Sequence, residues 1–240
     1  MTPILTFDIA TLPDVAGLRR LQGLDTQVSD HEVAEMAWQL RRQQIGSDLL
    51  PPHLQRVVAI SCTLRREHSF KVWSLGTADE SEASLLQRFF DGLEKLAPQL
   101  VTWNGNDFAL PVLHSRSLIH GVSSPHYWAQ RASERHHVLQ DSLGLHHAHI
   151  PPQQLLPLLG LPVQTDMDSL QRWQAWQNGQ LAALHQQGEC NAIGTYLLYA
   201  RSQRLRGLLT PDGWQQECAL VRQALQDHPH LHAYLAAWPA

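Results

Sequence analysis

The residues best suited to chemistry in this 240-residue chain lie in two segments that each open with a short apolar run. Residues 7–14 are FDIATLPD, and residues 100–113 are LVTWNGNDFALPVL. In the first, a predicted buried strand over residues 4–9 delivers Asp8. In the second, a predicted strand ends at the turn signal of residues 104–105. Because hard divalent cations need oxygen ligands, an aspartate in such a place is a candidate ligand.

Two later segments complete a set of four. Residues 135–141 are RHHVLQD, and residues 189–201 are ECNAIGTYLLYAR. In chain order the four segments resemble the family motifs FDIET, WNGxxFDLPVL, RHxDLMD and YCExDVxNTYLLYLR. The first motif alone would be weak, but four collinear matches are specific. Over nearly its whole length the chain is therefore similar to the predicted bacterial 3′–5′ exonucleases related to the proofreading domain of family B DNA polymerases.

This resemblance implies a DnaQ-like member of the DEDD superfamily with an RNase H-like fold. Such enzymes hold two Mg²⁺ or Mn²⁺ ions with four carboxylates, and the ions clamp the attacking and leaving oxygens of a phosphodiester. A tyrosine or histidine near the last motif orients or deprotonates the attacking water. The resemblance thus implies a metal-dependent nuclease as the ancestral activity.

The chain departs from the family pattern at most of the catalytic positions. Asp8 stands at the first family aspartate. Ala10 stands in place of the family glutamate, Ala109 and Asn191 in place of two aspartates, and Gln187 in place of the tyrosine. One of four metal-binding carboxylates therefore remains, and the water-activating group is missing. We expect Asp8 to be a catalytic remnant, with no metal site and no cofactor, and the chain to be a pseudoenzyme.

Neighbouring residues do not offer obvious replacements. Asp107 precedes Ala109 by two residues, which along a helix would turn it about 200° away. His136 and His137 would point to opposite faces of a strand, and Val138 stands at the aspartate of the family RHxD stretch. Tyr127 to His136 also spans a gap that is longer in the family, so the groove beside the site is expected to be altered.

The same groove would supply the contacts to nucleic acid. The candidate contact residues are Thr11, Trp103, Asn104, Phe108 and Arg116. Trp103 and Asn104 could equally form a turn that positions a helix N-terminus. For Arg116, as for Arg131 and Arg135, the sequence favours ordinary solvated surface over a contact to nucleic acid.

The order of predicted elements is β-α-ββ-α-β-α-β, followed by helices, which indicates an α/β fold with a mixed sheet flanked by helices. The strands near residues 56–63 and 70–75 are expected to form a hairpin. Helices are predicted over residues 29–44, 81–96, 110–121, 153–159, 167–178, 180–206, 211–226 and 228–237. We divide the chain into an exonuclease-like domain, residues 1–207, and a helical C-terminal extension packed on it, residues 208–240.

Composition narrows the choice of partners. The net charge is −4 and the pI is about 6.4, so bulk charge gives no general attraction to nucleic acid. Three widely spaced cysteines without a CxxC pair predict reduced thiols in a cytoplasmic protein. The first residues do not form a signal-peptide pattern. The chain has no stretch of 18 consecutive apolar residues, so neither a membrane span nor a membrane partner is predicted.

Three functions remain open at this point. The chain could be an inactive exonuclease homologue that retains nucleic-acid binding or a scaffolding role. It could be an active metal-dependent 3′–5′ exonuclease with unrecognised ligands. It could also be a protein-interaction module without nucleic-acid contact. The expected partner is therefore single-stranded nucleic acid, either DNA or RNA, or another protein.

Overall fold

The computed structural model describes residues 2–130, 136–145 and 150–238. Its described residues contain five strands in one sheet, in the spatial order β3-β2-β1-β4-β5. The strands are β1 (Ile4–Pro13), β2 (Gln55–Arg66), β3 (Ser69–Leu75), β4 (Gln99–Thr102) and β5 (His136–Val138). β2 runs antiparallel to β1 and β3, whereas β4 runs parallel to β1 and β5. This mixed sheet has the RNase H-like topology, and the predicted fold class is confirmed.

The predicted hairpin is β2–β3, and β1 is longer than predicted. Residues 11–13 continue to pair with residues 55–57 after a register shift between Ala10 and Thr11. This shift is a bulge, which lets one strand keep pairing while its direction changes. The apolar run of residues 4–9 does not predict this extension, because residues 11–13 are extended through their pairing with β2 and not through an apolar pattern of their own.

Eleven α-helices surround the sheet in the described residues. They are α1 (Val15–Gln22), α2 (Asp30–Ile45), α3 (Glu82–Leu96), α4 (Ala109–His120), α5 (Pro125–Gln130), α6 (Leu139–Ser142), α7 (Pro152–Leu158), α8 (Ser169–Gln177), α9 (Leu181–Leu205), α10 (Pro211–Gln226) and α11 (His232–Ala236). The eight predicted helices are present within a few residues of their expected ends. The short α1, α5 and α6 were not predicted, since four to eight residues show little periodicity.

Capping explains where α2 begins. Ser29 accepts a hydrogen bond from the backbone N–H of Glu32, and the Glu32 side chain accepts one from the backbone N–H of Ser29. This reciprocal pair satisfies two of the donors that the start of a helix leaves free. The predicted capped helix is confirmed.

The sheet separates two apolar layers. On one face Leu5, Phe7 and Ile9 of β1 pack with residues of α3 and α4. On the other face lie α9 and α10, whose buried residues share one core with β3 and β4. A third cluster joins α2 and α8 to the end of β1. Because α9 packs directly on β1 and β2, its residues reach the polar side chains of Thr6 and Asp8 in β1.

The C-terminal helices are part of this packing. Trp214, Cys218, Val221 and Leu225 of α10 are buried in the core that α9 also lines. The division of the chain at residue 207 stays a prediction. All three cysteines are buried, and none of them forms a disulfide. None of the described helices is long and apolar enough to cross a membrane.

Candidate functional site

Asp8 of β1 meets Asn191 of α9 through a direct hydrogen bond. The Asn191 amide nitrogen Nδ2 donates to Asp8 Oδ2 at 3.1 Å. The same nitrogen donates to Oδ1 of Asp166, in the segment between α7 and α8, at 3.0 Å. One neutral amide thus joins two carboxylates, and the two positions predicted to be neighbours are neighbours.

Gln187 lies one helical turn before Asn191 and holds the same segment. Its Nε2 donates to Asp166 Oδ1 at 2.8 Å, and its Oε1 accepts from the backbone N–H of Met167 at 3.0 Å. We call Asp8, Asp166, Gln187 and Asn191 the carboxylate–amide cluster. Gln187 is the residue predicted to stand in place of a family tyrosine, and its amide positions Asp166.

Close packing of α9 on the sheet brings the cluster together. Thr6 donates to the backbone carbonyl of Ala192 at 2.7 Å. At Gly188 a Cβ atom would lie 2.5 Å from Ser61 Oγ and 3.7 Å from Asp8 Oδ2. A side chain at this position would therefore push α9 away from β1 and β2.

The electrostatics of the cluster act mainly on Asp8. Burial raises its pKa to about 6, and the nearby Asp166 carboxylate adds to this rise. The hydrogen bond from Asn191 and the charge of Arg172 on α8 act in the opposite direction. A carboxylate in this state is poorly neutralised by its surroundings.

A pocket of about 460 Å³ opens beside the cluster. Asp8, Asp166 and Asn191 line it, together with Ala109 at the start of α4. Ala10 does not line this pocket and instead packs against the third core cluster. Three of the four expected metal-binding positions therefore converge, and Ala10 adjoins them along β1.

The turn after β4 forms another wall of this pocket. Trp103, Asn104 and Phe108 all line it. Trp103 is buried, and its indole N–H donates to the backbone carbonyl of Ile150 at 3.0 Å. Asn104 is exposed and Phe108 is partly exposed. Trp103 therefore holds the turn in place, whereas Asn104 and Phe108 present their side chains at its surface.

Asp107 lines the same pocket, contrary to the expectation that it would face away. That expectation assumed helical geometry between Asp107 and Ala109. The helix α4 begins only at Ala109, so the 100° step per residue does not apply before it. Three aspartates, Asp8, Asp107 and Asp166, are therefore among the described residues that line the pocket.

Thr11 and Arg116 lie apart from the pocket. Thr11 donates to Oε1 of the buried Gln55 at 2.8 Å, across the β1–β2 pair. Arg116 is 2 % exposed, and its guanidinium donates to Asp14 at 2.6 Å and to Glu82 at 2.5 and 2.8 Å. This side chain is occupied by internal partners, so we leave it out of any proposed interface. Arg131 and Arg135 fall outside the described residues.

His136 and His137 have separate surroundings, as expected from a strand. His136 is hydrogen-bonded to Thr102 at 2.9 Å, and burial lowers its pKa to about 4. His137 is hydrogen-bonded to Ser142 and contacts the ring of Tyr199. The pair does not form a two-histidine metal site.

Residues 47–238 match a family model described as a predicted 3′–5′ exonuclease related to the exonuclease domain of PolB. The chain belongs to this family. No individual curated protein matches it. The matched range contains Ala109, Gln187 and Asn191, whereas Asp8 precedes it. The hydrogen bond between Asp8 and Asn191 shows that β1 nevertheless belongs to the same site.

The residues of this exonuclease homologue do not fit the pair of divalent ions that the family chemistry needs. In the described part of the chain, no three His, Cys, Asp or Glu side chains converge as a possible metal-binding group. Asn191 also turns its N–H₂ group, a donor, toward both carboxylates. Mg²⁺ and Mn²⁺ bind oxygen atoms, which an amide donor between two carboxylates does not supply.

Sequence reasoning missed Asp166 altogether. It belongs to no family motif, and it reaches the cluster from a segment between two helices. Its only local signal is Asp168, which caps α8 and so places residues 164–167 in a loop. That signal indicates a loop but not its position against α9.

Proposed function

We propose that this chain is a 3′–5′ exonuclease homologue that does not hydrolyse phosphodiesters. The observation that supports this most directly is the bridging of Asp8 and Asp166 by the Asn191 amide. Two-ion catalysis needs both ions, because one activates water and the other stabilises the leaving oxygen. Two aspartates that share a neutral donor leave a second dication poorly balanced.

The water-activating step lacks a group as well. Gln187 has no proton-accepting nitrogen or carboxylate at ordinary pH. Its two polar atoms are occupied by Asp166 and by the backbone of Met167. Its contacts therefore support a role in holding the α7–α8 segment rather than in catalysis.

We further propose that the pocket beside the carboxylate–amide cluster serves as a binding surface, for single-stranded nucleic acid or for a protein. The exposed Asn104 and the partly exposed Phe108 are the groups that a nucleotide could contact. The net charge of −4 and the acidic pocket lining weigh toward a protein. Three buried, unpaired cysteines support a cytoplasmic location.

The test is a cleavage assay on 3′-labelled single-stranded DNA and RNA with Mg²⁺ or Mn²⁺. We expect the parent chain and the Asp8→Ala variant to leave both substrates intact. Degradation by the parent and not by Asp8→Ala would show that the site is active and would overturn the proposal.

The second candidate function is an active exonuclease that uses Asp166 as a ligand. It is favoured by one observation, the placement of Asp166 beside Asp8 through Asn191. It predicts that Asp8→Ala and Asp166→Asn each abolish metal-dependent cleavage. A parent chain that cleaves nothing excludes it.

A further inference from the structure

The described charged residues that line the pocket beside Asp8 all carry the same sign of charge. Three of its described lining residues, Asp8, Asp107 and Asp166, are acidic, and none is Lys, Arg or His. Arg172 is near enough to lower the pKa of Asp8 but does not line the pocket. Without metal ions, such a lining repels a phosphate and attracts a cation.

The hydrogen bonds show which of the three aspartate carboxylates can still accept a hydrogen bond from a cation. Asp166 is satisfied, because Asn191 and Gln187 donate to its Oδ1 and Gln153 donates to its Oδ2 at 2.6 Å. Asp8 accepts from the Asn191 side chain and from the backbone N–H of Ile9, which leaves part of its acceptor capacity unused. No described group donates to the exposed carboxylate of Asp107. Asp8 and Asp107 are thus the carboxylates with acceptor capacity left for a ligand.

One residue that lines the pocket also carries a buried hydroxyl with no hydrogen-bond partner in the described part of the chain. Tyr234 of α11 lines the pocket and is 4 % exposed. Its Oη atom makes no hydrogen bond to the described residues. Buried hydroxyls are normally paired, so a ligand that supplies an acceptor would satisfy this one. This observation is independent of the acidic lining.

Size and aromatic walls complete the description. About 460 Å³ is the size of a small-ligand site. Trp103 and Phe108 stand on its wall, and aromatic rings attract ammonium and guanidinium groups through their faces. The ring carbons also suit the aliphatic stem of a long cationic side chain.

We propose that this pocket binds an ammonium or guanidinium group carried by a peptide, that is, a Lys or Arg side chain of a partner protein. Asp8 and Asp107 receive the cation, the partly exposed Phe108 contacts its stem, and Tyr234 donates to a carbonyl oxygen of the ligand. The inference deepens the proposed function, because it rests on the groove being a binding site without a metal pair.

The test measures binding to the full chain in EDTA by calorimetry. The probes are a blocked Gly-Lys-Gly peptide, its Arg counterpart, and the same peptide with an acetylated lysine, which keeps the stem and loses the charge. Putrescine tests whether a free amine suffices, and thymidine monophosphate serves as the anionic probe. We expect the Lys or Arg peptide to bind at least tenfold more tightly than the acetylated peptide and the nucleotide.

Variants assign the contacts. Asp8→Asn and Asp107→Asn are each expected to weaken peptide binding about tenfold, and Tyr234→Phe several-fold. Asp79→Asn, at an exposed aspartate outside the pocket, should leave binding unchanged. Asp107 is exposed, so its variant keeps the test informative even if Asp8→Asn alters the fold. Putrescine binding as tight as that of the Lys peptide would overturn the assignment to a protein side chain, because putrescine offers no carbonyl oxygen to Tyr234.

The inference is overturned if the acetylated peptide binds as tightly as the charged one, or if both aspartate variants bind like the parent. Tighter binding of thymidine monophosphate than of any cation in EDTA would also overturn it. A chain that neither cleaves nucleic acid nor binds the cations leaves the inactive-homologue proposal standing and removes only this inference. Cleavage with Mg²⁺ would overturn that proposal and leave the binding result in EDTA to be judged separately.

Discussion

The Asn191 side chain donates to Asp8 across a distance of 3.1 Å, and this bond connects the first strand to the long helix α9. The resemblance to the family motifs implies aspartates at both positions, and two aspartates there would repel each other without cations between them. Asn191 instead supplies a neutral donor that is hydrogen-bonded to Asp8. The contact therefore lets β1 and α9 pack closely without a metal.

Replacing this amide should make the fold depend on metal. Asn191→Asp removes the donor to Asp8 and Asp166 and adds a third carboxylate, which we expect to cost about 1–3 kcal/mol in EDTA. Millimolar Mg²⁺ should recover part of the melting temperature of the variant but not change that of the parent. Asn178→Asp, at an exposed site, is the control. A variant as stable as the parent in EDTA would contradict this account.

Restoring the family carboxylates should recover metal binding before turnover. We expect the triple variant Ala10→Glu, Ala109→Asp and Asn191→Asp to bind Mn²⁺ by calorimetry, because oxygen ligands then surround Asp8. It should still cleave oligonucleotides poorly, since Gln187 cannot activate water. Full cleavage by the triple variant would show that this position is not needed.

Asp8 should lower stability as pH rises. Burial raises its pKa from 3.8 to about 6, so between these values the native state binds more protons than the unfolded chain, and stability falls as pH increases. Above about pH 6 the ionised group costs on the order of 1–3 kcal/mol. Asp8→Asn should therefore be more stable than the parent at pH 7.5 and equal to it near pH 4, by urea unfolding. Asp79→Asn should show neither effect.

Gly188 should be needed for the approach of α9. Gly188→Ala places a Cβ 2.5 Å from Ser61 Oγ, and such overpacking costs about 1–3 kcal/mol. Gly92→Ala on α3 meets no atom within 4 Å and should stabilise by about 0.5–1 kcal/mol. Chemical unfolding of both variants measures the contrast. Equal effects would mean that the α9–β2 contact is not tight.

Arg116 should act in stability rather than in binding. Arg116→Met leaves Asp14 and the buried Glu82 without their shared cation, which costs about 3–5 kcal/mol. Arg88→Met removes the pair with Glu80, in which Arg88 is half exposed, and should cost at most about 1 kcal/mol. Urea midpoints distinguish the two. A small effect at Arg116 would show that its ion pairs are dispensable.

The sequence by itself determined the family, the sheet and most of the helices, because these follow from local patterns. The apolar run before Asp8, the Ser29–Glu32 cap and the hairpin are each encoded within one short continuous stretch of the chain. It also indicated that Asp8 and Asn191, 183 positions apart, meet. That information came from the order of the motifs and not from any local preference.

Only the tertiary structure decided what occupies the site. Asp166 reaches Asn191 from a loop, Asp107 precedes α4 and therefore lines the pocket, and Arg116 is buried between two carboxylates. Each depends on how separate elements pack, where a helix begins, or which charges meet across the core. Long-range contacts of this kind have no periodicity along the chain, so the sequence patterns that define strands and helices do not reveal them.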